Sequence, residues 1–128
     1  MNEKDEPDRK LLIGVVGTCG SGKTTLIAGL EREGFQCRHI AQEHSYVPTM
    51  WKRITNPDLL IYLNSSFEVS TQRRKLNWNE AEYQEQLRRL DHARQHADLI
   101  IETDDLSPAE VLECAIRFIK SKSQNLIG

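Results

Sequence analysis

The sequence predicts an α/β fold: a mainly parallel sheet of about four strands with helices on both faces. Three observations predict it. Short apolar runs alternate along the chain with segments of helical period. The earliest run is apolar at successive positions, as in a strand buried on both sides. That run also passes directly into a glycine-rich turn and then a helical pattern. The 128 residues suffice for one core, burying roughly two-thirds of the surface the unfolded chain exposes. A single domain is expected over residues 10 to 128, behind a charged tail at residues 1 to 9.

Lys10 to Val16, KLLIGVV, is the first expected strand. From Lys23 to Glu33 the pattern is helical, with Leu26, Ile27 and Leu30 on one side and Gly34 placed to end it. Gln36 to Ala41 reads as a second strand. A short helix is expected from Pro48, because Val47, Met50, Trp51 and Ile54 recur at helical spacing, and Asn56-Pro57 stops it. That stripe is expected to face the core. Asp58 to Asn64, DLLIYLN, is the third strand, followed by a polar helical stretch to about Leu76. Another helix spans about Asn79 to Ala97. On it Tyr83, Leu87, Leu90 and Ala97 share a side, with Arg94 inside the stripe and therefore in need of a buried partner, a phosphate or a carboxylate such as Asp98. Asp98 to Glu102 is the last strand. Ser107-Pro108-Ala109-Glu110 opens the final helix with a hydroxyl cap, a proline at the first helical position and a glutamate to close a capping box.

Seventeen Lys and Arg stand against nineteen Asp and Glu, a formal charge of −2. That balance disfavours nucleic acid and anionic membranes as partners, so any anion site is local. No stretch approaches the roughly 20 apolar residues of a membrane span. The first ten residues hold no apolar signal-peptide core, and the three cysteines, Cys19, Cys37 and Cys114, fit no paired or metal-binding spacing. A reducing, cytoplasmic setting is expected.

In parallel α/β sheets ligands bind beyond the carboxyl ends of the strands. There the chain carries Gly17-Thr18-Cys19-Gly20-Ser21-Gly22-Lys23-Thr24, which matches GxxxxGK[ST] at every fixed position between an apolar strand and a helix. Glycines let the backbone curl until successive N–H groups converge, and the helix adds its unpaired N–H groups and positive dipole end. A phosphate fits such a concavity. Lys23 is then expected as a solvent-facing charge that reaches the β and γ phosphates, with Thr24 as the hydroxyl ligand of Mg²⁺ and Thr25 supporting the helix. Cys19 occupies an unconstrained position of the loop.

With these residues in view, the chain resembles the nucleotide and small-molecule kinase branch of the P-loop NTPases, such as the adenylate, shikimate and dephospho-CoA kinases. GTCGSGKTTL, PDLLIYLNSS followed by Arg73-Arg74, and HARQHADLIIETDDLSPAEV carry the resemblance. It implies a three-layer P-loop fold, ATP and Mg²⁺ as cofactors, and transfer of the γ-phosphoryl group to an unidentified small-molecule or nucleotide acceptor. It also implies that Arg73 and Arg74 belong to a lid that offsets charge on the transferred group. The chain has no NKxD, DxxG or LSGGQ-like sequence, which argues against regulatory GTPases and transporter ATPases.

One departure from the family matters. The usual kinase has a further strand with an acid between its second strand and the DLLIYL-type strand, and here only the short helix intervenes. Glu43, in Ala41-Gln42-Glu43-His44-Ser45, is the candidate replacement. If the second strand lies beside the first, Glu43 stands across from Thr24, to hold metal-bound water or accept the substrate proton. The alternative is a solvated turn in which Glu43 pairs with a nearby base. Residues 73 to 94 carry six bases and four acids, while residues 98 to 113 carry six acids and no base, so positive charge gathers where a lid belongs. His92 and His96 have metal-ligand spacing without a third ligand and read as an ordinary pair. The alternative function is a nucleotide switch or scaffold with slow hydrolysis and no acceptor.

Overall fold

The computed structural model describes residues 11–74 and 77–127. The charged tail at 1–9, and Leu76 at the end of the expected polar helix, lie outside them. The strands are β1 (Leu12–Gly17), β2 (Gln36–His39), β3 (Leu59–Asn64) and β4 (Leu99–Glu102). The helices are α1 (Lys23–Arg32), α2 (Phe67–Arg74), α3 (Glu80–His96) and α4 (Pro108–Ile127). The sheet runs β2-β1-β3-β4, and every pairing is parallel.

The two central strands are the two most apolar runs of the sequence, as burial on both faces requires. Residues alternate along them. Ile13, Val15, Leu59, Ile61 and Leu63 pack with Leu26 and Leu30 of α1 and Val111, Ala115 and Ile119 of α4. Val16, Leu60 and Tyr62 pack with Leu90 and Ala93 of α3 and with Trp51. The edge strands β2 and β4 bury only Cys37 and Ile101, which explains their weaker apolar signal.

A repeated device starts the strands. Asp58 donates its N–H to the Leu12 carbonyl (2.8 Å) and accepts the Leu12 N–H on Oδ2 (2.7 Å). Asp98 does the same with Leu60, at 2.8 Å for both bonds. Each aspartate thereby pairs the amino end of its strand to the neighbouring strand. The caps behave similarly: Ser107 and Glu110 form the expected capping box, and Asn79 with Glu82 forms another at α3.

Two expectations are corrected. The segment after Pro48 closes as a wide turn, Trp51–Thr55, in which the Asn56 N–H bonds to the Trp51 carbonyl. The extra residue per turn rotates the stripe, so Trp51 is buried while Ile54 is 76% exposed. The second correction concerns Arg94. The buried face of α3 is Tyr83, Gln86, Leu90 and Ala93, one step around from the stripe expected, so Arg94 is exposed and needs no buried partner. The Asp98 carboxylate serves the Leu60 N–H instead. No helix among the described residues is long and apolar enough to cross a membrane.

Candidate functional site

Parallel pairing brings the carboxyl ends of all four strands to one edge, and the loops that leave them converge. Gly17 to Gly22 join β1 to α1. Gly22 caps α1 at φ 103 with no side-chain cap, so the first N–H groups of the helix open toward the loop. Gly20, at φ +81, lies so close to α2 that a Cβ there would stand 2.6 Å from the Ser70 carbonyl oxygen. Glycine is what allows the loop and α2 to touch.

Inside the loop Lys23 is 6% exposed. Its ammonium donates to the carbonyls of Gly17 (2.8 Å) and Thr18 (3.0 Å), and it pairs with Glu43 Oε2 at 3.1 Å. The expectation of a solvent-facing lysine is thus corrected: the loop folds back around the ammonium because buried N–H donors need acceptors. Thr18 Oγ1 and Ser21 Oγ are buried without a hydrogen-bond partner. Cys19 donates its N–H to Gln86 Oε1 (3.0 Å), while Gln86 Nε2 donates to the Cys19 sulfur (3.3 Å).

Glu43 lies on the short turn Gln42–His44 that follows β2. Because β2 pairs directly with β1, this turn faces the glycine-loop end of β1, the arrangement expected for Glu43. Its side chain is 4% exposed, Oε2 is taken by Lys23, and Oε1 is buried without a partner. The bland alternative, a solvated turn, does not describe it, although its pairing with a base does. Gln42 fixes the turn: its amide donates to the Val47 and Arg89 carbonyls and accepts the Trp51 N–H at 2.8 Å.

A cavity of about 470 Å³ joins these parts. Cys19 to Leu26 form one wall, and His39, Glu43 and His44 close one end. Arg73, Thr103, Leu106, Pro108 and Val111 form the other. Arg73 donates to the Thr103 hydroxyl (2.9 Å) and to the Thr103 carbonyl. Its charge therefore sits beside Thr103, just after β4, rather than over the turn of Glu43. The side chain of Arg74 lies outside the described residues, and Arg94 does not line the cavity. Thr24 and Thr25 both line it. Partial loss of solvent, and then the ammonium of Lys23, hold the His39 imidazole below its ordinary value of 6.5, with His44 adding to this and Glu43 opposing it.

The Thr24 hydroxyl and the orphaned Glu43 Oε1 are hard oxygen donors of the kind Mg²⁺ selects, so the residues present fit that ion. His92 and His96 serve packing: their rings stack at 4.2 Å and His92 accepts the Trp51 indole N–H at 3.1 Å.

The sequence pattern does not single out His39, Thr103 or Leu106 of the cavity, nor Gln42 and Gln86 that brace it. Gln42 and Gln86 are polar side chains turned inward. For Gln86 the sequence holds a signal, a glutamine at i+3 from Tyr83 and i−4 from Leu90, but a stripe through Leu87 and Ala97 leaves it off the buried face. Compared with known proteins, the chain matches no family model and no curated sequence.

Proposed function

We propose that this chain is a cytoplasmic protein of the three-layer P-loop fold. Its proposed activity is that of a kinase, transferring the γ-phosphoryl group of Mg-ATP to a small-molecule or nucleotide acceptor. One observation carries the reading. A single cavity holds the glycine loop, a buried lysine and an orphaned carboxylate at one end, and the apolar side chains of Leu106, Pro108 and Val111 at the other. The loop end has the donors for a triphosphate, and the apolar end suits a nucleobase.

The residues divide the work. N–H groups at the start of α1 hold the phosphates, and Lys23 exchanges the carbonyls of Gly17 and Thr18 for phosphate oxygens. Glu43, released from Lys23, is left to accept the proton of the acceptor hydroxyl. Thr24 and Glu43 would hold Mg²⁺, which when bound supplies positive charge against the phosphates. Arg73, once it leaves Thr103, brings a guanidinium to the transferred group, where such charge acts mainly in the transition state. Gly20 against Ser70 couples the helix bearing Arg73 to the loop.

The switch or scaffold reading has one observation in its favour: among the described residues, no strand with an acid stands between β2 and β3. Calorimetry with Mg-ATP and a transfer assay over a panel of hydroxyl, carboxylate and nucleotide acceptors separate the two. The kinase reading expects saturable ATP binding that Lys23→Ala abolishes, and faster ATP consumption with one acceptor class. Binding with only slow hydrolysis across the panel favours the switch. Unchanged ATP affinity in a folded Lys23→Ala protein removes the phosphate loop from both readings.

A further inference from the structure

At the mouth of the loop, three side chains from two segments far apart in sequence converge with a donor set that Mg²⁺ does not explain. The Cys19 sulfur lies 3.7 Å from His44 Nε2, and the same nitrogen lies 3.7 Å from Glu43 Oε2. One ligand atom from each of the three residues falls within 4.8 Å of the others. Around a tetrahedral zinc ion with the usual bond lengths, sulfur and nitrogen ligands stand about 3.5 Å apart, and nitrogen and oxygen ligands about 3.3 Å. Two of the three spacings lie within a few tenths of an ångström of these values, and the third, between Cys19 and Glu43, is within 4.8 Å and closes as the exposed His44 and the loop adjust.

We propose that Cys19, Glu43 and His44 form a binding site for a thiophilic divalent cation of the zinc class. Thiolate, imidazole and carboxylate together select such an ion over Mg²⁺ or Ca²⁺, which take oxygen alone. Three protein ligands leave the fourth position open to water. A second and independent observation supports a ligand at this place. The Glu43 carboxylate is almost wholly buried, and its Oε1 has no partner beside the Oε2 that faces His44, a costly arrangement that a cation bound across both oxygens relieves. The surroundings are arranged for the bound state as well. Gln86 donates to the Cys19 sulfur, which steadies a thiolate, and His44 is exposed enough for its ring to turn onto the ion. Binding converts the Cys19 thiol to thiolate and releases its proton to solvent. It also moves the Lys23 ammonium off Glu43 Oε2, since a dication and that ammonium cannot share one oxygen.

Co²⁺ titration of the reduced, nucleotide-free full chain tests the site, because cobalt reports its ligands by absorption. One equivalent should produce a thiolate-to-cobalt charge-transfer band and the strong visible bands of a tetrahedral ion, both lost on adding one equivalent of Zn²⁺. Cys19→Ser should abolish the charge-transfer band. Glu43→Gln and His44→Ala should each weaken binding by about tenfold or more. His44 is exposed, so its variant keeps the fold and remains informative if a loop variant does not. Cys37→Ala and Cys114→Ser should keep the band. No band in the parent, a band that survives Cys19→Ser, or affinity untouched by both Glu43→Gln and His44→Ala overturns the proposal. The titration contains no nucleotide, so its failure leaves the kinase reading standing, and failure of that reading leaves this site standing.

Discussion

At the scale of single residues, the pair Lys23 and Glu43 has two partners to serve and one arrangement at a time. Both side chains are nearly inaccessible and lie 3.1 Å apart. Removing one member of such a pair strands a buried charge, at a cost of about 3 to 5 kcal/mol. Lys23→Met should therefore lower stability as well as ATP affinity, whereas Lys23→Met with Glu43→Gln should recover most of the stability and none of the affinity. Urea denaturation of the four proteins of this cycle checks it; additive effects would mean the two charges do not interact. His39 makes a separate prediction. Its imidazole titrates below 6.5 in the folded chain, so as pH falls below about 6.5 the unfolded chain takes up the proton first and folding stability declines. Denaturation between pH 7.5 and 5 should show this slope, and His39→Gln should flatten it. Cys37 behaves oppositely to a reactive thiol, since burial and then Glu31 push it up to about 11.

At the scale of elements, α2 is held at its start and along its inner face. Its start is capped by Ser66, whose own N–H is accepted by the Asp104 carboxylate at 2.9 Å. Its inner face rests on Gly20 through the Ser70 carbonyl. Phe67, Trp78 and Tyr83 form an aromatic cluster between α2 and α3, fixed by the Trp78 indole on the Thr71 hydroxyl (2.7 Å) and the Tyr83 hydroxyl on the Ser65 carbonyl (2.6 Å). Gly20→Ala adds a methyl group where the φ is left-handed and a carbonyl oxygen stands 2.6 Å away. It should cost about 1 to 3 kcal/mol by backbone strain alone, and it should also part α2 from the loop. Chemical denaturation measures the first effect, and altered amide exchange in residues 67 to 74 reports the second. A variant as stable as the parent would mean that α2 does not rest on the loop.

At the scale of the molecule, the strand order decides which acid meets the glycine loop. With β2 directly beside β1, the turn after β2 carries Glu43 to Lys23. Asp58 sits at the amino end of β3, away from the loop edge, and Asp104 is engaged with Ser66. Glu43→Gln keeps the shape while losing charge and basicity. It should bind ATP nearly as the parent does, with turnover reduced by about a hundredfold or more, the scale of a lost general base. Single-turnover transfer measured beside calorimetric binding checks this. Equal turnover in the two proteins would make Glu43 a structural partner of Lys23 and favour the switch.

What the sequence determined by itself is what short-range chemistry can encode. The apolar runs of β1 and β3, the glycine loop from Gly17 to Gly22 and the capping box at Ser107 each depend on neighbours within a few positions, and each is found in place. The choice among faces was beyond it. Arg94 and Gln86 differ by less than half a turn in helical phase, and only packing of α3 against Leu60 and Tyr62 decides that Gln86 goes inward and Arg94 outward. Ile54 faces solvent for a related reason, because a wide turn has no separate sequence period. Two relations also needed the whole fold: the 3.1 Å approach of Glu43 to Lys23, and the meeting of Cys19 with His44. They join residues twenty or more positions apart, and the pairing of β2 with β1 brings them together.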